Sequence, residues 1–374
     1  MRVLVVDDSV VYRSQIKAAI ADANFVDLVD TATNGKVALD RIQQQEYDLV
    51  LLDLEMPELD GLETLRRIRQ RGINIRVVMF SSQTVRGSEK TLECLSQGAD
   101  DFVPKPANEN LNISNAAGAI KDVLLPKLRQ FIVGSHAQPK PQVNERIVNA
   151  RPIVESVNQT SLSKVPYASG HRPVKSYVRK EMSVFNPSVL VIGSSTGGPA
   201  ALEIVMRKLG PLKIPILITQ HMPPIFTASL AKRIESVSGV ECAEARSLEE
   251  LKPRIYVAPG DYHMSLVNQG GAIKVRLDQR EQRNSVRPAV DFLFESAAEI
   301  FGPKTAGIVL TGMGEDGCDG AMAIKGAEGG MIIQSQESCV VFGMPGAVYS
   351  VKAYDQMMEL EEINDWIRRK CSKG

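Results

Sequence analysis

The chain has 374 residues, enough for two domains with separate cores. Lys plus Arg equals Asp plus Glu at 44 each, so no net charge draws the chain to nucleic acid or an anionic membrane. No apolar run reaches the roughly 18 residues that span a bilayer, and five scattered cysteines without C-x-x-C spacing exclude a disulfide framework or zinc site and suit a reducing cytoplasm. The N-terminus opens directly on a strand-like run followed by aspartates, which does not read as a signal peptide.

Residues 1–125 alternate strand-like and helix-like patterns. The predicted strands are Arg2–Val6, Val26–Ala32, Tyr47–Leu52, Arg76–Phe80 and Asp101–Val103, with helix patterns between them such as Val37–Ile42 and Leu62–Ile68. Five such βα units predict a parallel sheet with helices on both faces. Ligands of such sheets collect at the carboxyl ends of the strands. Polar residues fall there: Asp7 and Asp8 after the first strand, Asp53 after Leu49–Leu52, Ser81 after Val77–Phe80, and Lys105 after the last strand. Taken singly, each has a plainer use, since an acid after a strand caps the next helix and a lysine is commonly solvated. Together at one edge, three carboxylates call for a hard divalent cation such as Mg²⁺, which suits phosphoryl chemistry.

This segment resembles response-regulator receiver domains. The matching pieces are Asp7-Asp8, Asp53 with Met56-Pro57 and Asp60-Gly61, Ser81, and Lys105-Pro106. The resemblance implies that Asp53 accepts a phosphoryl group from a histidine-kinase partner. It implies that Asp8, Asp53 and the Glu55 carbonyl bind Mg²⁺ with help from Asp7. Ser81 and Lys105 are the implied phosphoryl contacts, and Phe102 stands at the position of an aromatic switch residue.

A helix is expected near Ala116–Ile132. Hydrophobic periodicity then disappears from Ser135 to Ser183, where eight Lys/Arg face three Glu. The stretch reads as a long flexible linker, with the helix extension and linker together covering 126–183. His136 and His171 read as linker residues rather than ligands.

A second alternating region covers residues 184–374. Strands are expected at Ser188–Ile192, Ile214–Thr219, Arg254–Val257, Thr305–Leu310 and Gly330–Gln334. Helices are expected near Ala200–Leu209, Phe226–Ile234, Ala289–Phe301, Ala321–Gly326 and Leu360–Lys370. Gly193, Ser195 and Gly197 fit G-x-S-x-G at a strand-to-helix turn. That turn suits a nucleophilic serine, a phosphate- or cofactor-binding loop, or a purely structural bend. His221 and Asp316 also follow strands, so Ser195, His221 and Asp316 are expected at one sheet edge, in reach of a nucleophile, base and orienting acid. The chain order Ser…His…Asp is not that of α/β-hydrolases. Ser194 is a rival nucleophile, His263 a rival base, and Asp319 or Asp291 a rival acid.

The region resembles the catalytic domain of chemotaxis protein-glutamate methylesterases. The matching pieces are Gly193–Gly198, Gln220–Pro223, Ala258–Gly260 with His263-Met264, Arg287–Asp291, Thr311–Gly314 with Asp316-Gly317, and Gly343–Gly346. The resemblance implies Ser195 as nucleophile, His221 as base and Asp316 as orienter. It implies the Met313 amide as oxyanion donor, helped by an amide near Thr196, with His263 lining the pocket and no cofactor in the esterase site. The implied fold is α/β: two doubly wound parallel-sheet domains, a flavodoxin-like receiver and an α/β methylesterase domain, joined by the linker. The implied activity is hydrolysis of glutamate γ-methyl esters on methyl-accepting chemoreceptors, with deamidation of certain receptor glutamines. A cytoplasmic enzyme is expected, working at the receptor array without inserting in the membrane. A DNA-binding output is disfavoured by the neutral charge and the lack of a basic recognition helix, and an inactive scaffold by the intact Ser195, His221 and Asp316.

Overall fold

A computed structural model describes residues 1–106, 113–132 and 176–373. The first region forms β1 (Arg2–Val6), α1 (Val10–Ala21), β2 (Leu28–Ala32), α2 (Gly35–Gln44), β3 (Leu49–Asp53), α3 (Gly61–Gln70), β4 (Arg76–Ser81), α4 (Val85–Ser96), β5 (Asp101–Pro104) and α5 (Ile113–Arg129). The strands are short and aliphatic, and β3 is buried at all five positions, as a sheet covered on both faces requires. Side-chain caps on Ser9, Asn34, Asp60 and Thr84 start α1 to α4 immediately after the turns. The sheet is parallel with order β2-β1-β3-β4-β5. Its order reverses between β1 and β3, which opens a crevice beyond Val6 and Asp53. Gly61 closes that edge: a Cβ there would come within 2.1 Å of the Asp53 carbonyl oxygen.

The second region adds β6 (Val189–Ser194), α6 (Gly198–Val205), β7 (Ile216–Gln220), α7 (Phe226–Ser238), β8 (Cys242–Glu244), β9 (Ile255–Val257), β10 (His263–Gln269), β11 (Ala272–Asp278), α8 (Val290–Phe301), β12 (Thr305–Val309), α9 (Cys318–Gly326), β13 (Gly330–Gln334), α10 (Met344–Ser350), β14 (Gln356–Met358) and α11 (Leu360–Cys371). Seven parallel strands run in the order β14-β13-β12-β6-β7-β9-β8. β6 is central, with β7 on one side and β12 on the other, so its carboxyl end is the switch point of this sheet as well. The expected α/β architecture is present in both halves. Beyond the expected strands, the structure adds the edge strands β8 and β14 and the antiparallel β10–β11 hairpin, turned by Gly270 and Gly271 at φ of 67° and 80°. Four cysteines are buried, Cys339 is partly buried, and none of the five is in a disulfide.

The linker expectation covers 126–183. Residues 133–175, with His136 and His171, lie outside the described residues. The two ends of that range are parts of the domains. Leu128 and Phe131 are buried in the core of the first half with α1. At the other end, Met182 is 1% exposed, its carbonyl accepts the Trp366 indole N–H at 2.8 Å, and the Lys180 amide donates to Asp355 at 2.6 Å. Backbone hydrogen bonds and an apolar anchor thus seat 180–182 on the second half, where periodicity alone shows no element.

Asp355 also receives Lys325 Nζ at 2.6 Å and the Met331 amide at 2.7 Å, with both ion-pair side chains essentially unexposed. Removing one member of a buried pair strands the other charge, at a cost of about 3–5 kcal/mol. Lys325→Met is expected to lower the stability of the second half by that order, read as a shifted urea midpoint at unchanged slope.

The two halves meet across α4, β5 and α5 on one side and α6 and α7 on the other. Phe102 stacks on Phe226 at 4.5 Å between ring centres, and the Ser88 and Ser229 hydroxyls lie 2.7 Å apart. Arg233 pairs with Glu203 at 2.9 Å and reaches Ser96 at 3.2 Å. Asp101 takes Lys127 at 2.6 Å and Gln130 at 3.1 Å, and its Oδ2 lies 2.8 Å from the Thr196 hydroxyl. Among the described residues, no helix is long and apolar enough to cross a membrane.

Candidate active site and acidic pocket

In the second half, β6 ends in Ser194 and the chain turns through Ser195-Thr196-Gly197 into α6. Gly197 has φ of 76°, and a Cβ there would meet Val340 at 2.6 Å, so glycine is required by both conformation and space. Register places Ser194 opposite Gln220, and the His221 amide donates to the Ser194 carbonyl at 3.1 Å. Ser194 is fully buried and its hydroxyl donates to Gln220 Oε1 at 2.6 Å, which removes it as a rival nucleophile. Gln220 Nε2 in turn donates to the Ser195 carbonyl at 2.9 Å, so this buried glutamine holds the turn. Its signal in the sequence is an amide at the last, inward position of an apolar strand.

His221 Nε2 and Asp316 Oδ2 are 2.8 Å apart. Asp316 also accepts from the amides of Val290 at 2.6 Å and Gly317 at 3.0 Å, and from Asn284 Nδ2 at 3.0 Å. Burial opposes the charge, but the His221 contact and these donors outweigh it and hold the Asp316 carboxyl down at about 2. Against an ionised Asp316, which can only accept, Nε2 takes the donor role. The rival acids are engaged elsewhere: Asp319 with Arg283 at 3.1 Å, and Asp291 with Asn284 at 3.0 Å and the Gly320 amide at 2.8 Å. Ser195 is nearly buried, and a Cβ on Gly312 would meet its Cβ at 2.7 Å, so the 311–314 loop passes directly beside it. Met313, on that loop, is exposed.

His263 differs from expectation. It is completely buried, its Nδ1 accepts the Ala289 amide at 3.1 Å and its Nε2 faces the Glu281 carbonyl at 3.1 Å. Burial lowers its pKa, consistent with a neutral ring. It is neither a free base nor a pocket wall; it pins the 281–289 segment behind His221 and Asp316. Position after a glycine-rich turn does not reveal in sequence that β10 carries the ring inward.

In the first half, a pocket beyond the β1–β3 crevice is lined by Asp8, Ser9, Tyr12, Asp53, Leu54, Glu55, Ser82 and Lys105. Asp7, Asp8 and Asp53 can each point a carboxylate oxygen within 4.8 Å of the others. Lys105 Nζ sits 3.0 Å from Asp7 and 2.9 Å from Asp53. Burial pushes the Asp53 carboxyl up to about 6; Lys105 pulls it back and Asp7 adds to the rise. Three carboxylates against one ammonium leave excess negative charge on oxygen donors, the chemistry a hard divalent cation satisfies. The structure brings Ser82, rather than the expected Ser81, to this pocket. Ser81 is fully buried and accepts from Thr91 Oγ1 at 2.6 Å, so its hydroxyl is turned toward α4.

Residues 190–367 match the family model described as CheB methylesterase, and residues 3–115 match that of the response regulator receiver domain. A protein-glutamate methylesterase/protein-glutamine glutaminase of a Nocardioides species is 37% identical over 374 residues, covering 100% of this chain and 96% of its own. The chain belongs to this methylesterase/glutaminase family. A family member from Thermotoga maritima is 38% identical over 365 residues, covering 97% of this chain and 96% of its own. The Thermotoga maritima CheB methylesterase catalytic domain in crystal form is 42% identical, covers 49% of this chain and 98% of that one, and has a TM-score of 0.47. The chain is thus an enzyme of the methylesterase/glutaminase class carrying a response-regulator receiver.

Proposed function

We propose that the enzyme hydrolyses glutamate γ-methyl esters on chemoreceptors, and deamidates certain receptor glutamines, through an acyl-enzyme on Ser195. The supporting observation is the 2.8 Å His221–Asp316 contact on the loops that flank Ser195. Ser195 Oγ attacks the ester carbonyl and its proton passes to His221 Nδ1. Asp316 stabilises the imidazolium through Nε2. Among the described residues, the N–H groups of Thr196 and Met313 meet no backbone acceptor, which leaves them available to the oxyanion. The tetrahedral adduct collapses, methanol leaves with the proton from His221, and the acyl-serine remains. Water then attacks the acyl group, giving its proton to His221, and serine is restored as the glutamate leaves. With a glutamine substrate, ammonia replaces methanol.

In the receiver, Asp53 is the proposed phosphoacceptor and a histidine kinase the proposed donor. Mg²⁺ would be held by Asp8, Asp53 and the Glu55 carbonyl, with Asp7 assisting; when bound, it neutralises charge on phosphoryl oxygens. Lys105 and Ser82, which line the same pocket, would contact the phosphoryl group. Phe102 leads from this domain to α7, and Asp101 with Gln130 grips Thr196, the neighbour of Ser195. Docking therefore covers the catalytic turn, and a phosphoryl group, adding about −1.5 to −2 charges, biases that docking.

The deciding measurement is methanol release from methylated receptor fragments, with and without a small-molecule phosphodonor and Mg²⁺. The donor is expected to raise the rate. Asp53→Asn is expected to lose that increase and keep the basal rate. A rate that the donor never changes would reject the regulatory half of the proposal, and no methanol in either state would reject the esterase half.

A further inference from the structure

The Arg283–Val286 turn lies directly behind Asp316. Arg283 and Val286 form a bridge, the Val286 amide donates to the Arg283 carbonyl at 3.1 Å, and the two residues between them, Asn284 and Ser285, have φ of 54° and 63°. This is a tight two-residue turn of the primed type, in which asparagine is a favoured first residue. Turn formation accounts for its backbone and leaves its side chain unexplained. That side chain points inward, and its single amide nitrogen donates to Asp316 Oδ1 and to Asp291 Oδ2, each at 3.0 Å. Both carboxylates are almost fully buried, on the loop after β12 and at the start of α8.

We infer that Asn284 is a positioning residue of the esterase, holding Asp316 ionised and aimed at His221. The inference rests on the Ser195–His221–Asp316 reading above. An amide nitrogen has two protons, and here each goes to a different acid, so the group separates two carboxylates that would otherwise share a proton. A proton shared into Asp316 would weaken it as an acceptor for the imidazole. The turn is itself fixed from outside: the Arg283 guanidinium makes two 2.8 Å bonds to Glu295, reaches Asp319 at 3.1 Å, and lies 3.4 Å from Asp291. Arg283 therefore anchors the turn to α8 and α9, and Asn284 passes that anchorage to Asp316. Burial together with the nearby Asp316 raises the pKa of Asp291, in keeping with a pair of acids that needs a donor between them.

Two variants separate this role from mere turn formation. Asn284→Gly keeps the left-handed backbone and removes the amide. Asn284→Asp keeps the shape and replaces two donors with a carboxyl group. The charged groups around that carboxyl are Asp316 with His221 behind it, Asp291 and Glu295 on α8, Asp319 on α9, and Arg283. The full-length chain, stimulated by phosphodonor and Mg²⁺, is assayed for methanol release across pH. Asn284→Gly is expected to lower kcat about tenfold at every pH with KM within about twofold. Asn284→Asp is expected to stay active at the acid end, where the new carboxyl is protonated and donates to Asp316. Its activity is expected to fall as pH rises and that group ionises against two acids, giving an alkaline limb that the parent lacks. Parent-like kcat and profile in both variants would overturn the inference. So would a loss that is equal in both, independent of pH and matched by a lowered Tm. Ser195→Ala in the same assay tests the triad reading by itself, since activity there would reject that reading whatever the Asn284 variants do.

Discussion

A Ser195→Ala chain is expected to release no methanol above background while still taking a phosphoryl group on Asp53. The two outcomes separate because the residues sit at the switch points of different sheets, beyond β6 and between β1 and β3. The hydroxyl is the only group proposed to bond covalently to substrate, so its loss removes the acyl-enzyme route entirely. Triad members act as a unit, and removal of the nucleophile in enzymes of this mechanism costs about 10⁶-fold in kcat, leaving a residue due to binding and oxyanion contacts. Ser194 does not rescue the variant. Its hydroxyl is committed to Gln220 at 2.6 Å and it is fully buried. Methanol release near the parent rate would send the nucleophile elsewhere. A stopped methanol assay on methylated receptor fragments and incorporation of a labelled phosphoryl group into the chain read the two halves of this expectation.

Asp316→Asn is expected to lower kcat by about 10⁴-fold and also to lower stability above pH 4, because the amide NH₂ meets backbone or Asn284 donors where the carboxylate accepted them. The shape is kept, but an amide can present its NH₂ to His221 and favour the wrong tautomer. Nδ1 would then carry the proton and could not receive one from Ser195. The carboxylate form matters across the working range. With the folded-state carboxyl held at about 2, below its ordinary 3.8, Asp316 contributes stability that is present above pH 4 and lost as pH falls through about 2. Any acid limb of activity above pH 4 therefore arises elsewhere than in titration of Asp316. The variant is expected to show a depressed rate throughout, and recovery toward the parent rate at any pH would show that Asp316 does not orient the imidazole.

Much of this was legible in the sequence, because buried parallel strands are aliphatic runs and their carboxyl ends carry the chemistry. Val189–Ile192 ending in small residues, and Leu49–Leu52 ending in Asp53, announce both sites without any tertiary information. The edge strands were not legible: Cys242–Glu244 and Gln356–Met358 are three residues long, too short for a period to show. The β10–β11 hairpin did carry a signal, Gly270-Gly271 between strand-like runs, which the run of βα units obscured. Ser81 and Ser82 are adjacent, and only the direction of the last strand residue decides which reaches the acidic pocket. His263 has the composition of a site residue and the position of a core residue. Asn284 was not singled out because turn propensity explains an asparagine there, and nothing local shows that its side chain reaches Asp316, 32 residues on. The end of the linker, 180–182, is held by backbone groups, which leave no mark in composition.

The Asp101–Gln130–Thr196 cluster couples two equilibria that chemistry alone would keep apart. Thr196 is gripped by the receiver and adjoins Ser195, so receiver docking and substrate entry draw on the same stretch of backbone. Thermodynamic linkage then runs both ways: if phosphorylation loosens docking and favours substrate, bound substrate must favour the undocked, phosphorylated form by the same factor. On the proposed function, a densely methylated receptor patch would in that sense be an effector of the receiver and not only its target. The kinase signal and the state of the substrate would, on the same proposed function, meet at the Thr196 hydroxyl, a group that takes no part in the bond being broken.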